Sequence, residues 1–375
     1  MAKSSSLNAV TVGSAVVDII AVVADQDIEQ LTLRNSAASF LLLEPGRKIE
    51  ADSISIHTGG GAINTAVALS RLGYTTSPLV KIGRDLNASK VMETLEAEGL
   101  YARLVCRSNT LATGVAVMIS AHDRNPSIFI FRGANTALKE SDIPADAFHG
   151  VNLVYVSGLS NASADCFPGI IRSAKAAGAF VATNPGIRQL SSRREAFLGV
   201  IGDLDLLTLN KDEAAALLPG LIAQSVRGAA AIHPPAPSIG PALELPPLLR
   251  RGISGTSADI TLPGFMTSLH ALGPRYVAVT DGAKGAYVSG HGKLVYCPSL
   301  PVEVAGTAGA GDAFASTLAA GLSAGEDTAD AMIAATINAA SVVSVVDTQK
   351  GLLNAAEIMQ RMPAAREALR IQTWG

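Results

Sequence analysis

Cysteine is scarce in this sequence, and the histidines are not arranged as metal ligands. Cys106, Cys166 and Cys297 are odd in number and far apart, so neither a disulfide framework nor a CxxC metal or redox site is indicated. The six histidines form no HxxxH or HExxH pair, which leaves zinc without its usual ligands. We therefore expect a protein of a reducing compartment, the cytoplasm, without a zinc centre.

An excess of charge of one sign is also missing. The 375-residue chain carries 29 Lys and Arg against 32 Asp and Glu, a formal net charge of -3, and has no block of like charge. Binding to a nucleic acid duplex or to an anionic membrane surface requires a basic patch, so neither partner is expected. The longest uncharged runs, such as residues 331–346, are shorter than the roughly 18 to 20 apolar residues that cross a bilayer. No transmembrane segment is expected.

The sequence alternates short apolar runs with alanine-rich stretches over most of its length. Runs such as NLVYVSG, DLLTLN and YVAVTDG indicate buried strands, whereas NTAVALSRLG and SKVMETLEAEG indicate helices. This alternation predicts an α/β fold, a doubly wound and mostly parallel sheet flanked by helices, in one domain over residues 1–375. Ligands bind at the carboxyl ends of such strands, so the site is expected where strands end at Asn184, Asn210 and Thr280.

Three segments depart from this alternation. Residues 38–56 and 113–132 each resemble two strands around a turn, and together they predict a small antiparallel sheet; extra edge strands of the main sheet are the alternative. Residues 219–263 contain the proline-rich IHPPAPSIGPALELPPLL and predict an irregular surface insertion. The run AVTVGSAVVDII is predicted to be one buried strand rather than part of a secretion signal, because Asp18 interrupts it.

The strongest chemical signal is GTAGAGDAFASTLAAGL, residues 306–322, a glycine-rich turn that leads into an alanine-rich helix. The backbone N–H groups of Gly309, Ala310 and Gly311 can converge at the helix N-terminus and bind a phosphate or a developing anion. Asp312, in the first helical turn, is placed to accept a proton from a hydroxyl that attacks phosphorus. In the structural alternative, the glycines only form a turn and the aspartate only favours the helix dipole.

An earlier glycine-rich motif is TGGGAINTAVALSRLG, residues 58–73. Its three glycines allow a ligand to approach the backbone closely, and Asn64 opens the following helix. A plain loop is the alternative. The chain contains neither the GxxxxGKS/T signature of a P-loop nor a Rossmann fingerprint after its first strand, so its phosphate site is of another type.

Two further motifs lie between these segments. In LTLNKDEAAALL a strand ends at Asn210 and Glu213 lies in the first turn of a helix, a pattern that a helix cap also explains. In VAVTDGAKGAYV, Thr280 and Gly282 follow a strand and can touch phosphate, although an ordinary hairpin turn explains them equally well. Each motif is weak alone, but all occur in one chain in one order.

In this order the motifs resemble those of the PfkB or ribokinase-like family of carbohydrate kinases. The early GG-containing segment of the family appears as GGGAINTA and its late DTxGAGD segment as GTAGAGD, with the NxxE and TxG elements between them. The resemblance covers nearly the whole chain apart from residues 219–263. It implies a ribokinase-like fold with a small β-sheet lid over the sugar site. It also implies ATP-dependent, Mg²⁺-assisted phosphorylation of a primary hydroxyl of a sugar or sugar-like substrate.

The resemblance also implies a role for each matching residue. Asp312 matches the general base, and the backbone of Gly309 to Gly311, which includes Ala310, matches the anion hole. The other implied roles are substrate binding by Asp18, Gly60, Gly61 and Asn64; nucleotide binding by Asn210, Thr280, Gly282 and Asn338; and Mg²⁺ binding, usually through water, by Asn210 and Glu213.

Three residues depart from the family pattern. Gly306 stands where the family has an aspartate near a monovalent cation, Arg84 stands at a commonly acidic position, and Asp281 stands at an apolar one.

A nucleoside kinase of the adenosine type fits the same motifs, because a ribosyl 5′-hydroxyl is also a primary alcohol. A catalytically silent sugar or nucleotide sensor would keep the fold, but Asp312 and Glu213 favour an enzyme. The expected partners are ATP, a sugar or nucleoside, and a second copy of the chain through the lid.

Overall fold

The body of the protein is a ten-stranded sheet. The computed structural model describes residues 7–24, 29–32, 39–42, 44–120, 127–225, 245–255 and 259–375. From one edge to the other the strands are β18 (Gln372–Trp374), β17 (Lys293–Cys297), β16 (Ala286–Gly290), β15 (Tyr276–Thr280), β12 (Leu206–Asn210), β11 (Phe180–Asn184), β10 (Leu153–Ser157), β1 (Asn8–Val12), β6 (Thr75–Ile82) and β7 (Val105–Arg107). The strands from β15 to β7 are parallel, and β16 to β18 are antiparallel. The predicted mostly parallel sheet is confirmed.

Helices cover both faces of this sheet. They are α1 (Gly61–Arg71), α2 (Leu86–Ala97), α3 (Phe167–Ala176), α4 (Gly186–Ser192), α5 (Arg194–Leu198), α6 (Lys211–Ser225), α7 (Pro247–Arg251), α8 (Leu262–His270), α9 (Ala310–Ser323), α10 (Thr328–Val343) and α11 (Ala355–Ala368). Because side chains alternate along a strand, Val154 packs in the core beside α3, α6 and α8, and Tyr155 packs in the core beside α9 to α11. None of the helices in the described part of the chain is both long and apolar enough to cross a membrane.

A second, smaller sheet lies apart from the main one, and we call it the lid sheet. Its four strands are, in order, β5 (Ser53–Gly59), β2 (Val16–Val22), β8 (Gly114–Ser120) and β9 (Ser127–Phe131). The second predicted hairpin is seen in the antiparallel pairing of β8 with β9, and the connecting residues 121–126 lie outside the described residues. The alternative, in which these segments add edge strands to the main sheet, is therefore wrong.

The prediction that AVTVGSAVVDII forms one strand was wrong. The run contains two strands in two sheets: β1 ends at Val12 in the main sheet and β2 begins at Val16 in the lid sheet. The chain turns at Gly13, where φ is 153° and a side chain would collide with the hydroxyl of Ser157. Apart from Gly13, nothing in the local pattern of this run marks the position of the turn.

The prediction of a hairpin over residues 38–56 was also wrong. Within this segment β4 (Ser39–Leu42) pairs with the preceding strand β3 (Glu29–Thr32), while β5 pairs with β2. The physical reason is length, because β2 offers β5 a ladder of seven residue pairs and β4 has only four residues. Residues 38 and 43 lie outside the described part of the chain.

The proline-rich segment is regular where the structure describes it. Residues 226–244 and 256–258 lie outside the described residues. Before them α6 continues to Ser225, and after them come α7 and the short antiparallel pair of β13 (Ile253–Ser254) and β14 (Asp259–Ile260). Leu248 and Ile253 are 1% and 2% exposed. The described ends of this segment therefore pack onto the body, unlike the irregular insertion predicted over 219–263.

Candidate active site

Asp312 lies in the first turn of α9 and is held by one side chain. The amide Nδ2 of Asn64 donates a 2.8 Å hydrogen bond to its Oδ2 atom. Burial raises the pKa of Asp312 to about 6; the bond from Asn64 opposes this shift and the charge of Glu213 adds to it. A carboxylate whose pKa lies near neutral pH is suited to accept a proton.

The glycine-rich turn before α9 has the shape that an anion site requires. Gly309 adopts a left-handed conformation with φ of 82°, and a Cβ atom there would lie 2.9 Å from Thr348. Gly311 is exposed, and a Cβ atom on it would meet nothing within 4 Å. The first N–H groups of a helix have no partner inside the helix, and the space at Gly311 lies at this end of α9.

The glycines of the early motif allow two chain segments to approach Asp312. Gly60 has φ of 93°, and a Cβ atom there would lie 2.6 Å from the carbonyl oxygen of Ser14. A Cβ atom on Gly61 would lie 2.6 Å from Oγ of Ser157 and 3.7 Å from Oδ1 of Asp312. A side chain at position 61 would thus occupy the space in front of the carboxylate. The structure brings both glycines together with Asp312.

Asp18 approaches the same place from the lid sheet. It is 3% exposed, and burial raises its pKa to about 7, with further contributions from the charges of Asp347 and Asp312. Its cross-strand neighbour is His57 on β5, whose Nδ1 atom lies 2.6 Å from Oδ2 of Asp347. Asp347 follows α10, so the His57–Asp347 contact joins the lid sheet to the body. Sequence analysis identified neither partner of this contact.

A buried network orients Asn64. Its Oδ1 atom accepts hydrogen bonds from Nε2 of Gln349 at 3.1 Å and from Oγ1 of Thr348 at 3.2 Å. With this oxygen engaged, the amide nitrogen of Asn64 is the atom that faces Asp312. Thr348 and Gln349 follow Asn64 by 284 and 285 positions, and no motif in the sequence marks them.

Asn210 and Glu213 cap α6 reciprocally. Oδ1 of Asn210 accepts 2.9 Å bonds from the backbone N–H groups of Asp212 and Glu213, and Oε2 of Glu213 accepts a 2.8 Å bond from the backbone of Asn210. The helix-cap alternative is therefore correct for their contacts. Asn184, at the end of β11, donates a 2.9 Å bond to the same Oε2 atom. Burial raises the pKa of Glu213, and the bonds from Asn210 and Asn184 oppose that shift.

Unpaired hydroxyl groups beside these carboxylates fit a hydrated Mg²⁺. Among the described residues, the buried side-chain oxygens of Tyr155 and Thr208 have no hydrogen-bond partner. Burial, followed by the charges of Asp312 and Glu213, raises the pKa of Tyr155 well above its usual value, so both carboxylates lie near its hydroxyl. Buried hydroxyls of this kind are usually satisfied by ordered water, and Mg²⁺ retains several waters while binding one or two carboxylates. No cluster of three or more His, Cys, Asp or Glu in the described chain could hold a metal directly.

Thr280 and Gly282 lie next to this site at the carboxyl edge of the sheet. Thr280 ends β15 directly beside Asn210, its partner in the β12–β15 register. Gly282 has φ of 57° in the turn that joins β15 to the antiparallel β16, so the hairpin alternative describes the backbone correctly. Asp281, between them, is 6% exposed and binds Nη2 of Arg251 through both carboxylate oxygens, at 2.8 and 2.6 Å.

Asn338 does not belong to this group. It is 0% exposed in the middle of α10. Its Nδ2 atom donates to Oγ1 of Thr317 on α9 at 2.8 Å, and its Oδ1 atom accepts from the backbone of Leu353 at 2.9 Å. The amide ties two helices and the following segment together, and its place in an adenine pocket stays a prediction.

Comparison with known proteins identifies the class to which this fold and site belong. The model of the pfkB family of carbohydrate kinases matches residues 7–237 and 265–355, and the gap between these ranges falls within the proline-rich segment. The chain therefore belongs to the pfkB family of carbohydrate kinases. This result confirms the predicted family and the predicted class of enzyme.

Individual relatives agree with this assignment. A nucleoside kinase of Methanothermobacter thermautotrophicus is 23% identical over 306 residues, which cover 82% of this chain and 84% of the relative. The structure of Arabidopsis thaliana ribokinase complexed with ribose and ATP has a TM-score of 0.69 at 19% identity, covering 95% of this chain and 99% of that one. Burkholderia thailandensis nucleoside kinase in complex with inosine has a TM-score of 0.68 at 17% identity, with coverages of 95% and 98%. The ribokinase-like fold is confirmed.

Proposed function

We propose that this protein transfers the γ-phosphoryl group of ATP to a primary hydroxyl of a sugar or sugar-like acceptor, with Asp312 as the general base. One observation carries the proposal: Asp312 is half-buried, oriented by Asn64, and adjacent to the helix N-terminus at Gly309 to Gly311. Phosphoryl transfer needs mainly positioning and charge stabilisation, which a single base and a set of backbone N–H groups supply.

The reaction follows from this geometry. Oδ2 of Asp312 is bonded to Asn64, and Oδ1 faces the space left by the missing side chain of Gly61. The acceptor hydroxyl lies in that space and passes its proton to Asp312 as its oxygen attacks phosphorus. The N–H groups of Gly309, Ala310 and Gly311 stabilise the negative charge of the transferring group. When bound, Mg²⁺ neutralises charge on the nucleotide phosphates, and Glu213 would hold it through water.

Substrate and nucleotide approach the base from different elements. Asp18 on the lid sheet and Gly60, Gly61 and Asn64 at the start of α1 bind the acceptor. Asn210, Thr280 and Gly282 line the nucleotide side, which is supported by the adjacency of Asn210 and Thr280 at the edge of the sheet. Arabidopsis thaliana ribokinase, a protein of the same fold, carries ATP in its complex with ribose.

A nucleoside kinase is the second candidate. It is favoured by the relative from Methanothermobacter thermautotrophicus, which is named a nucleoside kinase, and by the Burkholderia thailandensis enzyme in complex with inosine. The chemistry at Asp312 is the same for both candidates, because each acceptor offers a primary hydroxyl. The difference lies in what binds beyond the sugar ring.

A screen of acceptors tests the proposal. ADP release would be measured with ribose, fructose, ketodeoxy sugar acids, adenosine, inosine and pseudouridine, with Asp312→Asn as the control for contaminating kinases. We expect acceptor-dependent ADP release from at least one compound by the wild type and none above background by the variant. Absence of release with every acceptor, or equal release by the variant, would contradict the proposed function.

We also propose that the lid sheet forms a homodimer. The strand registers place Ile56, Ile19, Val117 and Phe129 in one row across all four strands, and Ile56 and Phe129 are each 56% exposed. An apolar face of this kind on a soluble protein marks an interaction surface, and self-complementary pairing of two copies is the simplest assembly. Sedimentation of the wild type and of Phe129→Ser tests this. We expect a dimer for the first and a monomer for the second, and a monomeric wild type at micromolar concentration would contradict the dimer.

We place the protein in the cytoplasm because its thiols suit a reducing compartment. Cys106, Cys166 and Cys297 are free, and burial raises the pKa of Cys166 and of Cys297 to about 11. Protonated thiols of this kind neither form disulfides nor bind metals readily. Alkylation of the unfolded protein, purified without reductant, is expected to label three thiols per chain; fewer would indicate an oxidised form.

A further inference from the structure

A cavity of about 540 Å³ opens beyond the carboxyl end of β10. Its polar lining includes Ser160, Asn161, Asp165, Arg188, Ser192 and Arg193. Ser157, the last residue of β10, lies against Gly61 in front of Asp312. Three residues of chain span at most about 11 Å, so Ser160 in the cavity wall is no farther than that from Ser157. The cavity therefore adjoins the acceptor site.

Two arginines, one in the wall of this cavity and one near it, pair with no acid among the described residues. Arg188 extends from α4 and is exposed, whereas Arg132 directly follows β9 of the lid sheet and is half-buried. In the described part of the chain, neither guanidinium forms an ion pair or a side-chain hydrogen bond. Burial, and then repulsion from Arg188, lower the pKa of Arg132. Two like charges held close together without an acid between them favour binding of an anion.

Arg193, also in the cavity wall, is paired with an acid. Arg193 donates from Nε to Oδ1 of Asp165 at 2.6 Å, so its charge is balanced within the wall. Asp165 is thereby committed to Arg193 rather than to Arg188. The uncompensated positive charge at the cavity belongs to Arg132 and Arg188.

The position of Arg132 is fixed by the body of the protein. The turn that follows it, Gly133–Thr136, is bonded to the segment that forms the cavity wall, because Oγ of Ser163, between the lining residues Ala162 and Ala164, donates a 2.8 Å hydrogen bond to the carbonyl oxygen of Asn135. Asn135 in turn accepts a 2.8 Å bond from the backbone of Ala15, just before β2. Arg132 is thus anchored where the lid sheet, the cavity wall and the segment carrying Asp18 meet.

We propose that Arg132 and Arg188 bind an anionic group, carboxylate or phosphate ester, at the end of the acceptor remote from the phosphorylated hydroxyl. The preferred acceptor is then an acidic sugar rather than a neutral one. This inference rests on the proposed kinase function. Guanidinium groups bind both anions through paired hydrogen bonds, and Ser160 and Asn161 add neutral donors to the same cavity. A neutral sugar or nucleobase would leave both arginines uncompensated.

Matched acceptors test the inference and distinguish the two anions. Gluconate against glucitol tests a carboxylate, and fructose 6-phosphate against fructose tests a phosphate ester, since each acid retains a free primary hydroxyl. We expect at least a tenfold higher kcat/KM for one acid than for its neutral match. Arg132→Gln and Arg188→Gln should each raise KM for that acid by about 10- to 100-fold, the range for hydrogen bonds to charged groups. Their kcat should stay within about threefold.

The double variant Arg193→Gln with Asp165→Asn is the control, because it removes both members of an ion pair from the same cavity and leaves the net charge unchanged. We expect the KM of the control for the acid to stay within about threefold of the wild type. Arg188→Lys should recover part of the affinity that Arg188→Gln loses, because lysine keeps the charge but not the paired donors of the guanidinium group. Unfolding temperatures within a few degrees of the wild type would show that the variants are folded. Equal KM in all variants, or preference for both neutral acceptors, would overturn the inference and leave the kinase proposal intact.

Calorimetry without nucleotide separates the two proposals. We expect the same acid to bind to the wild type and its binding to be lost in Arg188→Gln. That result supports the anion subsite even if no acceptor is phosphorylated, in which case the kinase proposal alone fails. Absence of heat with both acids, together with turnover of neutral sugars, overturns the anion subsite alone.

Discussion

The two sheets of this protein differ in what covers them. The main sheet is buried by helices of its own chain, so that a strand such as β10 is buried at each of its five residues. The lid sheet, in contrast, carries apolar side chains that this chain does not cover: Ile54, Ile56, Phe129 and Phe131 are each more than half exposed. The first sheet is covered by helices of its own chain, whereas the exposed apolar side chains of the second suit an interaction surface.

The candidate site takes residues from both sheets. Asp312 and Glu213 belong to elements of the body, where burial adjusts their ionisation. Asp18 and Arg132 belong to or adjoin the lid sheet. We therefore expect changes at Asp312 and Glu213 to act mainly on kcat, and changes at Asp18 and Arg132 to act mainly on the KM of the acceptor. The predictions that follow test this division, from the largest effect to the smallest.

Asp312→Asn should have the largest effect. The amide retains the size of the carboxylate but cannot take the proton, so kcat should fall by roughly 10² to 10⁴, with nucleotide affinity nearly unchanged. Steady-state kinetics and titration of nucleotide binding would measure both quantities. A variant that keeps more than a tenth of the wild-type kcat would show that Asp312 is not the base.

Asp18→Asn should act mainly on the KM of the acceptor. Loss of the charged acceptor of sugar hydroxyl bonds should raise the acceptor KM by about 10- to 100-fold, while kcat changes by less than about fivefold. Asp52→Asn is the matched control, because Asp52 is exposed just before β5. If Asp18→Asn lowered kcat as strongly as Asp312→Asn, the division between lid and body would not hold.

The pH dependence of kcat should report the base. Only the carboxylate form of Asp312 accepts a proton, and its pKa is raised from 3.8 to about 6. Activity should therefore be full above pH 7 and fall about tenfold per pH unit below the pKa. Removal of the charge at Glu213, by Glu213→Gln, should move the midpoint to lower pH because that charge raises the pKa. A profile that remains flat down to pH 5 would contradict the assignment.

Much of the body could be predicted from the sequence, for a physical reason. Parallel strands buried on both faces appear in the sequence as continuous apolar runs, and a glycine-rich turn before a helix can be recognised from its residues. Asp312, Asn64 and the glycines beside them were identified for this reason, and the structure brings them together. Local pattern and local structure coincide in these elements.

The lid sheet and the supports of the site could not be predicted in the same way. Val16–Val22 has the apolar character of a core strand, and only its pairings with Ser53–Gly59 and with Gly114–Ser120, both distant along the chain, assign it to the second sheet. Gln349 orients Asn64 from 285 positions away. Asn338 matched a family position, but its contacts with Thr317 and Leu353 are long-range and invisible in a motif. These features depend on tertiary contacts.

Glu213→Gln should affect the metal more than the acceptor. The variant retains the shape of the helix cap but loses the charge that would hold hydrated Mg²⁺, so the Mg²⁺ concentration for half-maximal rate should rise by about three- to tenfold. The acceptor KM should change less. Asp212→Asn, at an exposed neighbouring position, is the control. An unchanged Mg²⁺ titration would leave Glu213 with its capping role alone.

The smallest effect should come from monovalent cations. Gly306 offers no carboxylate, and a Cβ atom there would lie 3.4 Å from the carbonyl oxygen of Val345, in a turn made of backbone. One carboxylate fewer lowers the Coulomb attraction for a desolvated K⁺. We expect rates in Na⁺ or choline buffers within about threefold of those in K⁺ at equal ionic strength, below roughly 1 kcal/mol in the barrier. Tenfold or greater activation by K⁺ would show that backbone carbonyls suffice.

The lid sheet is assembled from three separate stretches of chain, and this constrains inheritance and folding. Val16–Val22 and Ser53–Gly59 precede the first helix of the body, whereas Gly114–Ser120 and Ser127–Phe131 follow β7 of the main sheet, so no single cut releases the lid sheet. A genetic crossover between residues 23 and 113 would join strands of one parent to pairing partners from another. During folding these contacts close long loops and form after the local elements of the body. New acceptor specificities are therefore expected to arise by point substitution within the lid sheet rather than by exchange of whole lids.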